Sequence, residues 1–244
     1  MIKVNIIHAN QQASQSLHSD PRSHHPADEN AVIHAGIFEY LSWAHVTEDV
    51  YFPTHRKGAF DLYIYGLTQV HSNGDTVDGH KLKAGDMLIM QSGSTDFPVV
   101  KRIGAGFSTF EFWFSESGLL QGEETPDFIK LSRKEFPVRV VDDVIERRLY
   151  GTDAPITHIN DIRICELEIP GGKRYGYDLL HGRKAGIYVV GGNGTFNERL
   201  YRSGDFIELI QWEHEKETVF LESDPKETTH LIVIDLSEKH REEE

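Results

Sequence analysis

Apolar and polar residues alternate along most of the chain with a period of two, which places successive side chains on opposite faces of a strand. In Phe60–Leu67 the residues Phe60, Leu62 and Ile64 share one face, and β-formers fill the stretch. In Ser108–Phe114, Phe110, Phe112 and Phe114 share one face while Thr109, Glu111 and Trp113 share the other. Similar patterns predict strands over 37–46, 86–91, 138–141, 162–169, 186–190, 205–210, 217–222 and 230–236. Turn-forming clusters separate them: Ser72–Asp75, Val77–Gly79, Ala84–Asp86, Pro170–Gly172, Gly191–Gly194 and Ser203–Asp205. Short helices are expected only near 10–18 and 142–147. Many short strands with few short helices predict an all-β protein of sandwich or barrel type.

The pattern is also duplicated. Leu82-Lys-Ala-Gly-Asp-Met-Leu-Ile89 and Tyr201-Arg-Ser-Gly-Asp-Phe-Ile-Glu208 each run from an apolar residue through a basic and a small one to Gly-Asp and an apolar strand. They lie 119 positions apart in a chain of 244, so each half carries one copy. A hairpin is expected upstream of each, Leu62 to Lys83 and Ile187 to Arg202, the first with a longer polar tip at 73–79. Two tandem β-domains follow, over 1–120 and 137–244. A linker over 121–136 is marked by Gly122, Pro126 and acidic residues, and residues 1–34 are expected to form an arm.

Charge and cysteine content narrow the chemistry. Lys and Arg number 25 against 39 Asp and Glu, a net charge of −14 that argues against a broad nucleic-acid-binding face. A lone cysteine, Cys165, permits neither an intramolecular disulfide nor a Cys-rich zinc module; its apolar neighbours in 162–169 mark it as a small buried hydrophobe rather than a nucleophile. No apolar stretch is long enough to span a bilayer, and the first residues lack the apolar run of a secretory leader, so a cytoplasmic protein without membrane contact is expected. Gly191, Gly192 and Gly194 follow a strand and open no helix, which points to a hairpin turn rather than a phosphate loop. The tail Glu238–Glu244 is expected to be a solvated end, and no Gly-x-Ser-x-Gly elbow is present.

A hairpin leading into a Gly-Asp turn and an apolar strand resembles the central portion of a cupin barrel, and two in tandem resemble a bicupin. The order of landmarks resembles the pirin family over roughly residues 35–236. Phe52-Pro-Thr-His55 with Phe60-Asp-Leu62 is similar to that family's Phe-Pro-x-His-x-His…Phe-Glu segment. Leu82–Met87 with Met90-Gln-Ser-Gly93 is similar to its strand and Ala-Gly turn. Phe110–Trp113 with Pro126-Asp-Phe128 resembles its Gln-Leu-Trp…Pro-x-Tyr landmark. Val138–Val141 with Tyr150-Gly151 and Pro155 resembles the start of its second barrel. The resemblance implies two tandem cupin-type barrels and, in the first, one iron or other divalent metal held by three histidines and a glutamate. Some pirins have quercetin dioxygenase activity; others are metal- or redox-dependent partners of transcription factors and enzymes.

Carried over residue by residue, the ligand set breaks down. His55 is the only retained ligand position. The second histidine falls on Lys57, whose ammonium has no lone pair to donate. The third histidine and the glutamate fall within Ser94–Val100, which contains neither. No cofactor is therefore expected. His55, Lys57 and Asp61 remain as pocket candidates, with Lys57 taking the space and charge of the metal opposite Asp61; alternatively Lys57 points to solvent and His55 bonds a backbone carbonyl. Of the 14 histidines, His24, His25, His34, His45, His71 and His80 also lie in the first half, but no HxH or HxxxH spacing brings two of them together locally. In the second half Ile169–Tyr175 and His181–Lys184 occupy the place of a first cupin motif without paired histidines, so no metal is expected there. The expectation is a pirin-like bicupin with a degenerate metal site that binds a small ligand or a protein partner in a regulatory role. The alternative is a quercetinase-type, metal-dependent oxidoreductase with a displaced site for iron or another divalent metal.

Overall fold

The computed structural model describes residues 2–8, 13–14, 23–25, 38–45, 50–56, 60–67, 76–77, 80–92, 97–103, 108–115, 127–156, 162–211 and 216–237. The chain divides into two compact units: Ala13–Glu135, called the first unit, and Met1–Gln12 with Phe136–Glu244, called the second. In chain order β1 (Ile2–Ile7) comes first and belongs to the second unit. The first unit follows with β2 (Ala13–Ser14), β3 (Ser23–His25), β4 (Phe38–His45), β5 (Val50–Arg56), β6 (Phe60–Gly66), β7 (Thr76–Val77), β8 (His80–Lys81), β9 (Met87–Ser92), β10 (Phe97–Ile103), β11 (Ser108–Ser115) and β12 (Asp127–Leu131). The second resumes with β13 (Val138–Val141), β14 (Val144–Tyr150), β15 (Ile162–Ile169), β16 (Arg174–Leu179), β17 (Arg183–Gly191) and β18 (Gly194–Phe196). It ends with β19 (Arg199–Tyr201), β20 (Phe206–Gln211), β21 (Glu217–Ser223) and β22 (Thr229–Ser237). Among the described residues the only helical turn is a 3-10 segment, Arg133–Glu135, and no helix is long and apolar enough to cross a membrane. The all-β expectation therefore holds.

Each unit pairs a seven-stranded sheet with a four-stranded one. The orders are β12-β9-β6-β11-β4-β3-β2 with β5-β10-β7-β8, and β1-β20-β17-β22-β15-β14-β13 with β16-β21-β18-β19. They match position by position, so the duplication read from the two Gly-Asp segments extends to the whole strand order. Among the described residues neither pair is closed by hydrogen bonds into one continuous barrel. The expected linker, 121–136, contains β12, which pairs with β9 along Asp127–Leu131. The expected arm supplies β2 and β3 to the first unit, while β1 pairs with β20 in the second. The strand beside each Gly-Asp strand is thus β12 in one unit and the chain's first strand in the other.

The Gly-Asp turns are built alike. Gly85 N–H donates to Gly66 O and Gly66 N–H to Asp86 O, and Lys83 N–H donates to the Asp86 carboxylate. In the second unit Gly204 N–H donates to Val189 O, Val189 N–H to Asp205 O, and Arg202 N–H to the Asp205 carboxylate. Gly85 and Gly204 have φ of 80° and 87°, left-handed conformations that favour glycine. Each carboxylate also takes a side chain from the flanking strand region: Lys130 Nζ at 3.1 Å on Asp86, and His8 Nδ1 at 3.0 Å on Asp205.

The cores follow from alternation. In the first unit Tyr63 and Tyr65 of β6 lie opposite Phe112 and Phe110 of β11, all four wholly buried, with the Tyr63 and Phe112 rings stacked at 4.7 Å. In the second, Leu167, Leu231, Val233, Ile187, Val189, Ile207 and Leu209 form one cluster with Phe196, Tyr201, Val219 and Leu221 of the smaller sheet. Cys165 belongs to that cluster, as its apolar setting predicts.

Three local expectations are corrected. The helix expected near 142–147 is strand β14, entered by a turn in which Asp142 and Asp143 have φ of 51° and 70°; aspartate tolerates this region better than most residues. Near 10–18 the described part, Ala13–Ser14, is also strand. The expected hairpin from Ile187 to Arg202 is instead a crossing between sheets: β17 ends at Gly191, β18 and β19 form their own hairpin in the smaller sheet, and β20 returns beside β17. The glycines at 191–194 make the corner. A Cβ at Gly194 would lie 2.0 Å from Glu222 O, so close packing requires glycine there.

Candidate functional site

His55 lies in β5 opposite Pro98 of β10. Asp61 lies in β6, paired with Gln91 of β9 and Phe114 of β11. The two positions therefore belong to different sheets of the first unit. Lys57, Ser94–Asp96, and the side chains of His55 and Asp61 lie outside the described residues. His24, His25, His45 and His80 fall in strands β3, β4 and β8, also without described side chains, and His34 and His71 lie outside. Among the described residues no group of three His, Cys, Asp or Glu side chains could hold a metal ion.

The second unit carries a polar cluster at one end of its core face. In antiparallel ladders directly opposed residues share a face. Arg163 of β15 opposes Asp235 of β22, and Cys165 opposes Val233 of β22 and Arg148 of β14. The face that carries Leu167, Leu231 and Val233 thus turns polar two positions further along. Asp235, 1% exposed at its side chain, accepts from Tyr177 Oη at 2.7 Å, from Arg163 Nη2 at 2.5 Å and from Arg183 Nε. Arg183 also donates from Nη2 to the Asp235 carbonyl. Beside this group Glu146 accepts from Tyr175 Oη at 3.1 Å and Arg148 Nε at 3.3 Å, and Arg148 also pairs with Asp153.

β16 of the smaller sheet supplies both tyrosines, so their hydroxyls bridge the two sheets. Burial, reinforced by Asp235, holds the Tyr177 phenol well above its usual range. Burial and then Glu146 do the same for Tyr175. Burial, with Glu146 next, pushes the Cys165 thiol up, which removes the thiolate that nucleophilic chemistry would need.

A second feature is a groove of about 320 Å³ on the smaller sheet of the second unit, lined by Arg174, Thr195, Asn197, Glu198, Phe220 and Glu222. The Arg174 guanidinium lies over the Phe220 ring, 3.7 Å from its centroid. One cation and two carboxylates give the groove no single charge preference.

No family model and no curated protein matches the chain. Solved structures do. GK1651 from Geobacillus kaustophilus superposes with a TM-score of 0.65 at 17% identity, over 96% of this chain and 94% of that one. The bacterial pirin YhhW from Escherichia coli, solved in complex with nickel(II), gives 0.65 at 15% identity, over 96% and 99%. Quercetin 2,3-dioxygenase from Acinetobacter baumannii gives 0.71 at 12% identity, over 97% and 79%.

The fold is that of the pirin-like bicupins.

At such identities the likeness establishes the pirin-like fold and leaves chemistry to the residues. The resemblance described above implies a site of three histidines and a glutamate. The corresponding positions supply one imidazole, His55, one ammonium, Lys57, and no histidine or glutamate in 94–100.

Arg183 lies in His181–Lys184, the place of a first cupin motif, whereas Arg163, Tyr177 and Asp235 belong to no motif. Their signal is subtler: Arg163 and Asp235 occupy inward positions next to the apolar inward residues Cys165, Leu167, Leu231 and Val233.

Proposed function

We propose that this chain is a pirin-like bicupin that works by binding a small ligand or a protein partner, in a regulatory role, and not through the metal centre of the pirin pattern. The observation that carries the reading is the loss of donors: Lys57 stands at the second ligand position, and Ser94–Val100 offers neither the third histidine nor the glutamate. His55, Lys57 and Asp61 are the proposed pocket of the first unit, with the Lys57 ammonium filling the place of the metal charge opposite Asp61. An ammonium there favours an anionic ligand group. The net charge of −14 supports a role without direct nucleic-acid contact. The lone cysteine and the lack of a membrane-spanning helix among the described residues are compatible with the proposed cytoplasmic, membrane-free location.

The test is elemental analysis of the purified, untagged protein before and after dialysis against chelator. The expected result is protein without stoichiometric metal. Near-stoichiometric iron, nickel, copper or zinc that survives dialysis would overturn the reading. It would favour the second one, a quercetinase-type oxidoreductase with a displaced metal site. For the pocket, His55 is followed by NMR while carboxylate ligands are added; shifts that K57A abolishes are expected, and no perturbation by any ligand would sink the pocket.

A further inference from the structure

We propose that the groove on the smaller sheet of the second unit binds a basic amino acid, a small molecule with one carboxylate and two cationic groups. Opposed residues of an antiparallel ladder share a face, so Arg174 of β16, Glu222 of β21 and Thr195 of β18 form one row across the outward face of that sheet. Arg174 and Glu222 are directly opposed, an arrangement in which opposite charges on neighbouring strands ordinarily pair. Here the Arg174 guanidinium lies instead over the Phe220 ring, one row along, 3.7 Å from its centroid. Among the described residues it makes no hydrogen bond or ion pair, and neither does the Glu222 carboxylate; Glu222 is engaged only at its backbone carbonyl, by Tyr201 Oη. Stacking on the ring holds the guanidinium in place and leaves its N–H groups unbonded, which lowers the ordering cost of binding an anion. Both side chains line the groove, whose volume of about 320 Å³ lies at the small end of ligand pockets.

The lining calls for both signs of charge at once. Arg174 supplies a cation on the β16 side and Glu222 a carboxylate beside it. Glu198, in the turn between β18 and β19, supplies a second carboxylate on the far side. That turn is tied to β21: Asn197 N–H donates to Phe220 O, and Phe220 N–H donates to Asn197 Oδ1. Neighbouring strands lie about 4.8 Å apart, so the row spans about 10 Å from Arg174 to Thr195, the scale of an extended diamino acid. A carboxylate on Arg174, an α-ammonium on Glu222 and a side-chain cation towards Glu198 match every charge of the lining. A polyamine would set a cation against Arg174, and a dicarboxylate would set an anion against the glutamates. Phe220, 37% exposed, and Leu200, 66% exposed at the end of the same row as Thr195, offer apolar surface to the aliphatic stem. The site lies in the second unit and does not involve the pocket proposed for the first.

The test is calorimetric titration of the full-length protein with L-lysine at neutral pH and constant ionic strength. Cadaverine, which lacks the carboxylate, and ε-aminocaproate, which lacks the α-ammonium, are titrated in parallel. L-Lysine is expected to bind saturably with a Kd of about 1 mM or tighter, and each analogue about tenfold or more weakly. E222Q and R174M should each weaken lysine binding about tenfold or more. Both side chains are exposed, so the urea midpoints of the two variants should stay near that of the parent. No saturable binding of lysine, cadaverine bound as tightly as lysine, or affinity unchanged in E222Q or R174M would overturn the proposal. Lysine binding lost in K57A and intact in E222Q would also overturn it, by placing the ligand in the first unit.

Discussion

Replacing Asp235 by alanine probes the second unit where its two sheets are tied together. The side chain is 1% exposed and accepts from three donors, two of them guanidinium groups. D235A leaves Arg183, 10% exposed, without that counter-charge in a site that water reaches poorly. Breaking a buried pair from one side typically costs about 3–5 kcal/mol, because the remaining charge stays desolvated. D235N keeps an acceptor but loses the charge, and a smaller cost of about 2–3 kcal/mol is expected. Asp178 supplies the control: its pair with Lys216 is about half exposed on both sides, so D178A should cost less than about 1 kcal/mol. Urea unfolding at neutral pH measures all three, with hydrogen exchange at β15 and β22 assigning the transition to the second unit. D235A within about 1 kcal/mol of the parent, or D178A as costly as D235A, would refute the view that this network is a buried tie.

Burial lifts the phenols of Tyr175, Tyr177 and Tyr188, and moves that of Tyr201 to about 12. Below the unfolded value of about 10 both states keep these protons, and the stabilisation is fully present; above it each withheld proton costs about 1.4 kcal/mol per pH unit, so stability is lost as pH climbs from about 10 toward the folded values. Urea midpoints that stay flat across that window would contradict it. Cys165, buried in the core, should react with a thiol reagent at a rate that rises with urea, and rapid labelling in native buffer would show it to be accessible. G194A should lower stability by about 3 kcal/mol, since the new methyl meets Glu222 O at 2.0 Å and Tyr201 Oη at 2.5 Å. G191A, whose Cβ meets nothing within 4 Å, should be nearly neutral by thermal melting, and equal effects of the two substitutions would argue against the corner described for β17 and β18.

What could be read from the sequence was local or repeated. Alternation placed β6 and β11 and the shared face of Phe110 and Phe112, because a face buried in a sheet demands a period of two; the residues opposite them, Tyr63 and Tyr65, lie on the other side of β6 from the Phe60, Leu62 and Ile64 face that the pattern singled out. The paired Gly-Asp segments revealed the duplication because the left-handed turn before each apolar strand needs those residues. Strand exchange was not legible. Pairing of Ile2–Ile7 with Phe206–Gln211 spans most of the chain, and neither segment carries a mark of the other. Asp142-Asp143 deceived for a different reason, since a helical start and a left-handed turn both accept aspartate. Arg163 and Asp235 lie 72 positions apart, so their meeting is a property of the ladder between β15 and β22. The pocket of His55, Lys57 and Asp61 rests on resemblance, and its side chains fall outside the described residues.

The two Gly-Asp turns show how the fold can be kept at 12–17% identity to its structural neighbours. Each turn needs a glycine able to adopt positive φ, a carboxylate that accepts the N–H three residues back, and a donor from the adjoining strand region. The donor is lysine in one unit and histidine in the other, and it arrives from β12 in one case and from beyond β1 in the other. Backbone geometry fixes the requirement, and any side chain with a positioned donor meets it, so the scaffold tolerates extensive substitution. A metal centre is less tolerant. Each ligand must present a lone pair at a set position, and a protonated amine in one of those positions withdraws a donor and adds a repelling charge. In the proposed reading Lys57 takes such a position, while the strand pairing of β6 beside it is kept; on that reading the same stretch of chain keeps the pirin-like sheet without the pirin-like donors.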